Sequence, residues 1–76
     1  MNICKQVSLN CYREDKARSK EHPLYIALAC THAKNFVMTC LKDYPEIEYG
    51  DYRGLSDEEY DALMECLDYI ATIECV

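Results

Sequence analysis

The clearest helical signal in the chain is residues 56–71, which read SDEEYDALMECLDYIA. Ser56 can accept a hydrogen bond from the amide of Glu59, and the Glu59 carboxylate can accept one from the amide of Ser56 in return. This reciprocal pair is the capping box that begins many helices. Asp57 and Glu58 favour the positive end of the same helix. The pattern predicts a helix that begins at Ser56 and runs toward the end of the chain.

Two stripes follow this predicted helix. Apolar side chains recur three and four positions apart, as on a face that packs against a core: Tyr60, Leu63, Met64, Leu67, Ile70 and Ala71. Carboxylates recur in the same way on another side: Glu58, Asp61, Glu65 and Asp68. Successive carboxylates are about 5 Å apart along the axis, which is the order of phosphate spacing on nucleic acid. The helix is therefore predicted to pack with one face and to present acids with another.

An upstream helix is predicted from about Pro23 to Asp43, because proline suits a first helical turn and Tyr44-Pro45 ends one. Its inward seam is predicted to comprise Ile26, Ala29, Cys30, Ala33, Val37, Cys40, Leu41 and Tyr44. Three more apolar residues, Leu24, Leu28 and Met38, lie off that seam, so a further helix or a second copy is expected to cover them. A β-hairpin of residues 24–30 and 36–41 is the rival, but its turn lacks glycine.

The first twenty residues fit two patterns. Ile3, Val7 and Cys11 share a helix face, whereas Ile3, Val7, Leu9 and Cys11 between polar neighbours suit a strand. Residues 45–55 hold both glycines and predict an irregular loop. The predicted fold is a mainly α three-helix bundle forming one domain over residues 1–76. The alternative is an α+β fold with a short antiparallel sheet and the C-terminal helix.

Six cysteines in 76 residues raise the question of disulfides. The N-terminal residues lack the basic lead and apolar run of a secretion signal, which predicts a cytoplasmic protein with reduced, buried thiols. Cys30 and Cys40 have the spacing found in twin-cysteine helical hairpins, but Cys66 and Cys75 are half a turn out of phase. A disulfide protein of an oxidising compartment is the alternative. No paired zinc ligands occur, so no metal or cofactor is predicted.

Charge is divided unevenly along the chain. Residues 1–42 carry seven basic and three acidic side chains, whereas residues 43–76 carry one basic and eleven acidic, giving net charges of +4 and −10. The total of −6 argues against direct nucleic-acid binding. Polar residues interrupt the apolar run after Leu24, so no membrane span is predicted. No nucleophile triad, phosphate loop or zinc-protease motif is present, and the chain is not predicted to be an enzyme.

The acidic half also holds five of the seven tyrosines, and tyrosine beside carboxylates is typical of protein-binding surfaces. The predicted partner-binding residues are Glu46, Glu48, Tyr49, Asp51, Tyr52, Glu58, Asp61, Glu65, Asp68 and Tyr69. They predict a non-catalytic inhibitor or adaptor whose partner is a larger protein or complex with a basic surface.

In composition alone the chain resembles the short acidic proteins with which phages block restriction and CRISPR complexes, and no motif carries the resemblance. It implies a viral nucleic-acid mimic that acts in the host cytoplasm and occludes a basic channel. The alternative function is a homo-oligomeric structural or regulatory module, such as a homodimer, that uses the apolar surface of the helix from Pro23 to Asp43.

Overall fold

The computed structural model describes residues 1–74 as a bundle of three antiparallel α-helices. They are α1 (Ile3–Arg18), α2 (Leu24–Asp43) and α3 (Asp57–Glu74), and no strand occurs among these described residues. This confirms the predicted three-helix bundle. The suggested N-terminal strand and the α+β alternative are not supported. Lys5 near the start of α1 meets Asp43 at the end of α2, and Lys34 in the middle of α2 meets Glu74 at the end of α3, so the chain runs up, down and up.

Helix α1 begins at a cap that the apolar pattern did not predict. The Asn2 carboxamide oxygen accepts a hydrogen bond of 2.9 Å from the Lys5 amide, which satisfies one of the free amides of the first turn. The inward face consists of Lys5, Leu9 and Tyr12. The predicted face was wrong, because Ile3 and Val7 are exposed and Cys11 is only half-buried.

Helix α2 is the central element and contacts both other helices. Half of its predicted inward seam is fully buried, namely Ala29, Cys30, Ala33 and Cys40, and Val37, Leu41 and Tyr44 pack partly buried against the core. Phe36, which the prediction omitted, is completely buried as well. The expected cover over the off-seam residues is absent from the described chain: Leu24, Leu28 and Met38 remain 59%, 38% and 64% exposed.

Helix α2 is also long and apolar enough, by length and composition, to cross a membrane. The central helix of a bundle passes the same test, and Ala33, Phe36 and Cys40 are buried in the core of this one. On its flanks His32 lies 3.4 Å from Asp15, and Lys34 forms an ion pair with Glu74. The absence of a membrane span stays a prediction.

Helix α3 begins where the sequence predicted. The Glu59 amide donates to Ser56 Oγ at 3.1 Å, and the Ser56 amide donates to Glu59 Oε1 at 3.3 Å, so the capping box is present. The buried face of α3, however, is rotated about the helix axis relative to the predicted apolar stripe. Glu59, Ala62, Leu63 and Cys66 are buried, whereas Tyr60, Leu67 and Ala71 are exposed. The reason is that Glu59 turns inward to meet Lys5.

The segment between α2 and α3 is more regular than predicted. Residues Pro45–Tyr49 form a short 3₁₀ helix, and its Ile47 is buried in the core. Gly50 ends this helix with φ +83°, a left-handed conformation that glycine adopts without strain. Residues 45–55 are therefore not an irregular loop throughout, and their first half has a fixed shape.

The buried cysteines Cys30, Cys40 and Cys66 belong to the interior, and no disulfide joins any of the cysteines within residues 1–74. Burial raises the pKa of the Cys66 thiol to about 12, so this thiol stays protonated and packs as a small apolar group. The predicted phase difference between Cys66 and Cys75 cannot be compared, because Cys75 lies outside the described residues.

Candidate functional site: the acidic end of the bundle

One end of the bundle gathers the last turn of α2, the 3₁₀ helix and the first turns of α3. The linker is held closely there, since a Cβ added to Gly54 would lie 2.8 Å from Cδ1 of Tyr44. Tyr52 in the linker packs edge-to-face on Tyr60 of α3, with ring centroids 5.5 Å apart. These contacts fix the position of the linker relative to α3.

A buried lysine ties the three helices together beneath this end. Lys5 Nζ lies 2.7 Å from Asp43 Oδ2 and 2.7 Å from Glu59 Oε2, and it stands 4.9 Å from the ring centroid of Tyr44. Burial alone would lower the pKa of Lys5, but the two carboxylates raise it instead. The hydrogen bond from Lys5 lowers the pKa of Glu59 in turn. Both groups are therefore charged at neutral pH, and each compensates the other.

Several carboxylates of the acidic half are already engaged within the chain. Glu65 lies 3.7 Å from Arg13, and Glu74 pairs with Lys34. Asp51 holds Arg53 through two side-chain hydrogen bonds of 2.9 and 2.7 Å, which lower the pKa of Asp51 to about 2. The bundle thus uses basic residues from α1 and α2 to neutralise part of the acidic half.

The remaining carboxylates of the acidic half are exposed and form no ion pair within residues 1–74. Five of them belong to the end described above, and we call this group the acidic end: Glu46, Glu48, Asp57, Glu58 and Asp61. Asp68 is also exposed, but it lies about 10 Å farther along α3 than Asp61. The acidic end therefore combines the 3₁₀ helix with the start of α3.

Tyr49 is the most exposed aromatic side chain of the described protein. It is 88% exposed and ends the 3₁₀ helix directly before Gly50. Its backbone is held in place because Gly50 donates a hydrogen bond of 2.9 Å to Ile47, which is buried. A rigid segment thus presents a free phenol ring beside Glu46 and Glu48.

The structure divides the ten predicted partner-binding residues into two groups. Glu46, Glu48, Tyr49, Glu58 and Asp61 are exposed together at the acidic end. The other five are placed differently: Asp51 is bound by Arg53, Tyr52 packs on Tyr60, Glu65 faces Arg13, Asp68 lies apart and Tyr69 packs on Tyr12.

Two members of this surface were missing from the predicted set. Asp57 was predicted to stabilise the helix start and Tyr60 to lie on the packed stripe, but both are exposed beside the predicted residues. For Asp57 the signal was present, because a carboxylate in the first turn of a helix is favoured by the helix dipole and needs no buried partner. For Tyr60 no sequence signal was sufficient, since its exposure results from the rotation of α3.

The described residues enclose no detectable cavity and hold no cluster of three potential metal ligands among His, Cys, Asp and Glu. Neither histidine belongs to the acidic end: His22 Nδ1 accepts a hydrogen bond of 3.0 Å from the Leu24 amide, and His32 of α2 faces Asp15 of α1. The candidate site is therefore an exposed surface whose chemistry is negative charge with aromatic side chains.

These features define a class, a small three-helix bundle with an acidic, tyrosine-bearing end. Compared with known proteins, the chain matches no family model, no curated protein and no solved structure.

Proposed function

We propose that the chain is a non-catalytic binding protein that docks its acidic end onto a basic surface of a larger protein. One observation carries the proposal: five exposed carboxylates that form no ion pair within residues 1–74 belong to the same end of the bundle as the 88% exposed Tyr49. Elsewhere in the bundle, Lys5, Arg13 and Lys34 compensate the acids that they meet. The protein's remaining negative charge is thus concentrated where an aromatic side chain is also free.

Helix capping accounts for only part of this charge. Asp57 and Glu58 lie in the first turn of α3, where the helix dipole stabilises a carboxylate by about 0.3–1 kcal/mol. Asp61 lies beyond that turn. Glu46 and Glu48 lie in the first turn of the 3₁₀ helix, but that helix has only five residues and a correspondingly small dipole. Their mutual repulsion brings no benefit to the fold. A basic partner would relieve it and would be attracted to this end of the protein over a long range.

Tyr49 supplies the buried apolar area that an interface of charges alone would lack. Tyrosine is enriched among the residues that dominate binding energy, because a rigid ring buries a large area at low entropic cost. Gly50 and the buried Ile47 hold the backbone of Tyr49 before a partner arrives. The backbone that carries the ring therefore loses little further freedom when the ring is buried.

The partner we propose is a protein whose basic surface binds nucleic acid. Glu58 and Asp61 are about 4.5 Å apart along the axis of α3, the same order as the spacing of about 3.4 Å between successive phosphates of one strand. An inhibitor that occupies a nucleic-acid channel, as phage anti-restriction and anti-CRISPR proteins do, would use such a surface. An adaptor that binds the same basic patch without blocking it is the other form of this proposal.

The proposal is tested by capture at low salt followed by competition. The tagged chain is incubated with native lysate, and the retained protein is eluted with salt and purified. A labelled duplex oligonucleotide is then titrated with that protein, with and without an excess of the chain. Loss of duplex binding supports a channel inhibitor, whereas unchanged duplex binding supports an adaptor.

A charge-reversal pair with a matched control decides whether the acidic end is responsible. Glu48→Lys with Asp61→Lys reverses two charges at the acidic end, and Glu21→Lys with Asp68→Lys reverses two exposed charges elsewhere that likewise form no ion pair within residues 1–74. We expect only the first pair to abolish capture. Equal capture by both pairs, or capture that resists high salt, would remove the acidic end from the interface.

A further inference from the structure

We propose that the partner presents a basic amphipathic helix, which packs along the outer side of α2 and α3 next to the acidic end. The inference rests on the proposed function, since it names the structural form in which the partner offers its basic side chains. It is carried by apolar residues that remain exposed beside free carboxylates. We call this surface the apolar strip: Met38 of α2 and Tyr60, Met64 and Leu67 of α3.

The α3 part of the apolar strip results from the rotation of that helix. Tyr60, Met64 and Leu67 recur four and three positions apart, so they form one row along the axis. Because Glu59 turns inward to meet Lys5, this row lies at the edge of the core instead of within it. Tyr60 is 41% and Leu67 is 37% exposed. The row therefore keeps apolar surface that the described residues do not cover.

The ion pair between Lys34 and Glu74 indicates that Met38 lies beside this row. Met38 follows Lys34 by four residues on α2, which keeps both on one side of that helix. Leu67 precedes Glu74 by seven residues and shares its side of α3 in the same way. Since α2 and α3 are antiparallel, both steps lead from the ion pair toward the acidic end, by about 6 Å and about 10 Å. Met38, which is 64% exposed, thus extends the apolar strip onto α2.

Charge along the apolar strip selects the chemistry of the partner. Asp57 and Asp61 are exposed, and they lie about 60° and 100° round the axis of α3 from Tyr60, in the same sense. Glu74, which contacts α2, lies about 40° from Tyr60 in the opposite sense. The two free carboxylates therefore border the row on its edge away from α2. Cations beside an apolar face complement this edge, whereas anionic lipid or the same edge of a second copy is repelled.

The position of α1 leaves the apolar strip open to a further helix. On α2, the contact with α1 at His32 is about 120° round the axis from Met38. On α3, the contact with α1 at Glu65 is about 140° from Tyr60. A helix on the apolar strip would therefore lie across the α2–α3 pair from α1, as the fourth member of a four-helix arrangement.

The side chains of the apolar strip suit a helix as their occupant. Residues at spacings of three and four on such a helix interdigitate with a row of the same spacing. The methionines Met38 and Met64 are flexible and adapt to apolar side chains of different shape. Tyr52 packs edge-to-face on Tyr60 and holds its ring in place before a partner arrives.

Fluorescence anisotropy with two labelled peptides tests the inference. One peptide carries leucine at every third or fourth position among lysines, and the other has the same composition in shuffled order. We expect the chain to bind the amphipathic peptide about tenfold or more tightly at low salt. Leu67→Gln and Met38→Gln should each remove most of this preference. Val7→Gln is the matched control, because Val7 is an exposed apolar residue of α1, and it should keep the preference.

The outcomes separate this inference from the proposed function. Equal binding of both peptides that Glu48→Lys with Asp61→Lys abolishes overturns the inference and leaves the proposed function in place, because charge alone then accounts for binding. A preference that survives both Leu67→Gln and Met38→Gln also overturns the inference. Binding of neither peptide contradicts both proposals. Circular dichroism verifies that each variant remains folded.

Two measurements without peptide test the other occupants of the apolar strip. Sedimentation equilibrium detects self-association, and flotation with neutral lipid vesicles detects membrane binding. We expect neither for the chain alone. Self-association that Leu67→Gln abolishes would assign the apolar strip to a second copy, and vesicle binding that it abolishes would assign it to a membrane. Either result overturns the inference.

Discussion

Lys5 and Glu59 are joined by a hydrogen bond of 2.7 Å between Nζ and Oε2, although 54 positions separate them in the chain. Glu59 also completes the capping box of α3 through Ser56. The Glu59 carboxylate therefore caps the start of α3 and also determines which face of α3 packs against α1. The acidic end owes its composition to this arrangement, because the inward turn of Glu59 leaves Glu58 and Asp61 in solvent.

Removal of the Lys5 charge should destabilise the bundle strongly. Lys5→Met leaves the nearly buried Glu59 without its cation, and loss of one member of a buried pair costs about 3–5 kcal/mol. Urea unfolding followed by circular dichroism measures the change. The matched control is Arg13→Met, which breaks an exposed pair with Glu65 and should cost less than about 1 kcal/mol. A similar loss of unfolding free energy in both variants would show that the buried Lys5 pair stabilises the bundle no more than an exposed ion pair does.

The same pair predicts a loss of stability in acid. The hydrogen bond from Lys5 lowers the pKa of Glu59 below its ordinary value of 4.5. As the pH falls, the unfolded chain therefore takes up a proton at Glu59 before the folded chain does. The stabilisation is complete above the ordinary pKa and is lost as the pH falls through the lower folded pKa.

Unfolding titrations between about pH 7 and pH 2 check this dependence. Glu59→Gln should be less stable than the wild type at neutral pH and should lose less stability in acid. Asp51→Asn is the control, because the Asp51–Arg53 pair lies at the surface and joins neighbouring positions of one loop. An identical acid profile for wild type and Glu59→Gln would contradict the assignment.

The rotated face of α3 predicts different costs for two leucines. Leu63 is completely buried, whereas Leu67 is 37% exposed. We expect Leu63→Ala to lower the free energy of unfolding by about 2–5 kcal/mol and Leu67→Ala by no more than about 1.5 kcal/mol. Thermal unfolding of the two variants compares them directly. The reverse order would place Leu67 in the core, as the sequence alone predicted.

Tyr12 offers a substitution that should stabilise the protein. Its hydroxyl is buried and makes no hydrogen bond of acceptable geometry within the described residues; burial, followed by the nearby Glu65 carboxylate, raises its pKa. Its ring packs edge-to-face on Tyr69, with ring centroids 5.3 Å apart. Tyr12→Phe keeps the ring and removes the unpaired hydroxyl, so the free energy of unfolding should rise by about 1 kcal/mol. A loss of more than about 1 kcal/mol would reveal a partner for this hydroxyl.

Tyr49 should matter for binding and not for folding. Tyr49→Ala removes a ring that is 88% exposed, so the unfolding midpoint should stay the same. Affinity for the protein captured by the wild type should fall by about tenfold or more, as for a residue at the centre of an interface. Tyr25→Ala, on a tyrosine remote from the acidic end, is the comparison for binding. An unchanged affinity for Tyr49→Ala would exclude Tyr49 from the interface and leave the carboxylates as its proposed binding groups.

Two of the three helices, α2 and α3, were determined by local sequence, whereas the pattern of residues 1–20 fitted both a helix and a strand. Ser56 and Glu59 specify the start of α3, and Tyr44-Pro45 ends α2 after twenty residues, because caps and prolines act within one turn of their own position. The uneven charge and the tyrosines of residues 43–76 also indicated which half of the chain carries the candidate site.

Only the tertiary structure decided which residues face inward and which carboxylates stay free. Lys5 reads as a surface residue until Asp43 and Glu59 surround it, and Ile3 and Val7 read as core residues until α1 packs with Lys5, Leu9 and Tyr12 instead. Burial of a charged side chain depends on partners that are distant in sequence, so a pattern of apolar spacing cannot anticipate it. The same long-range pairs engage Glu59 and Glu65 and leave the acidic end exposed.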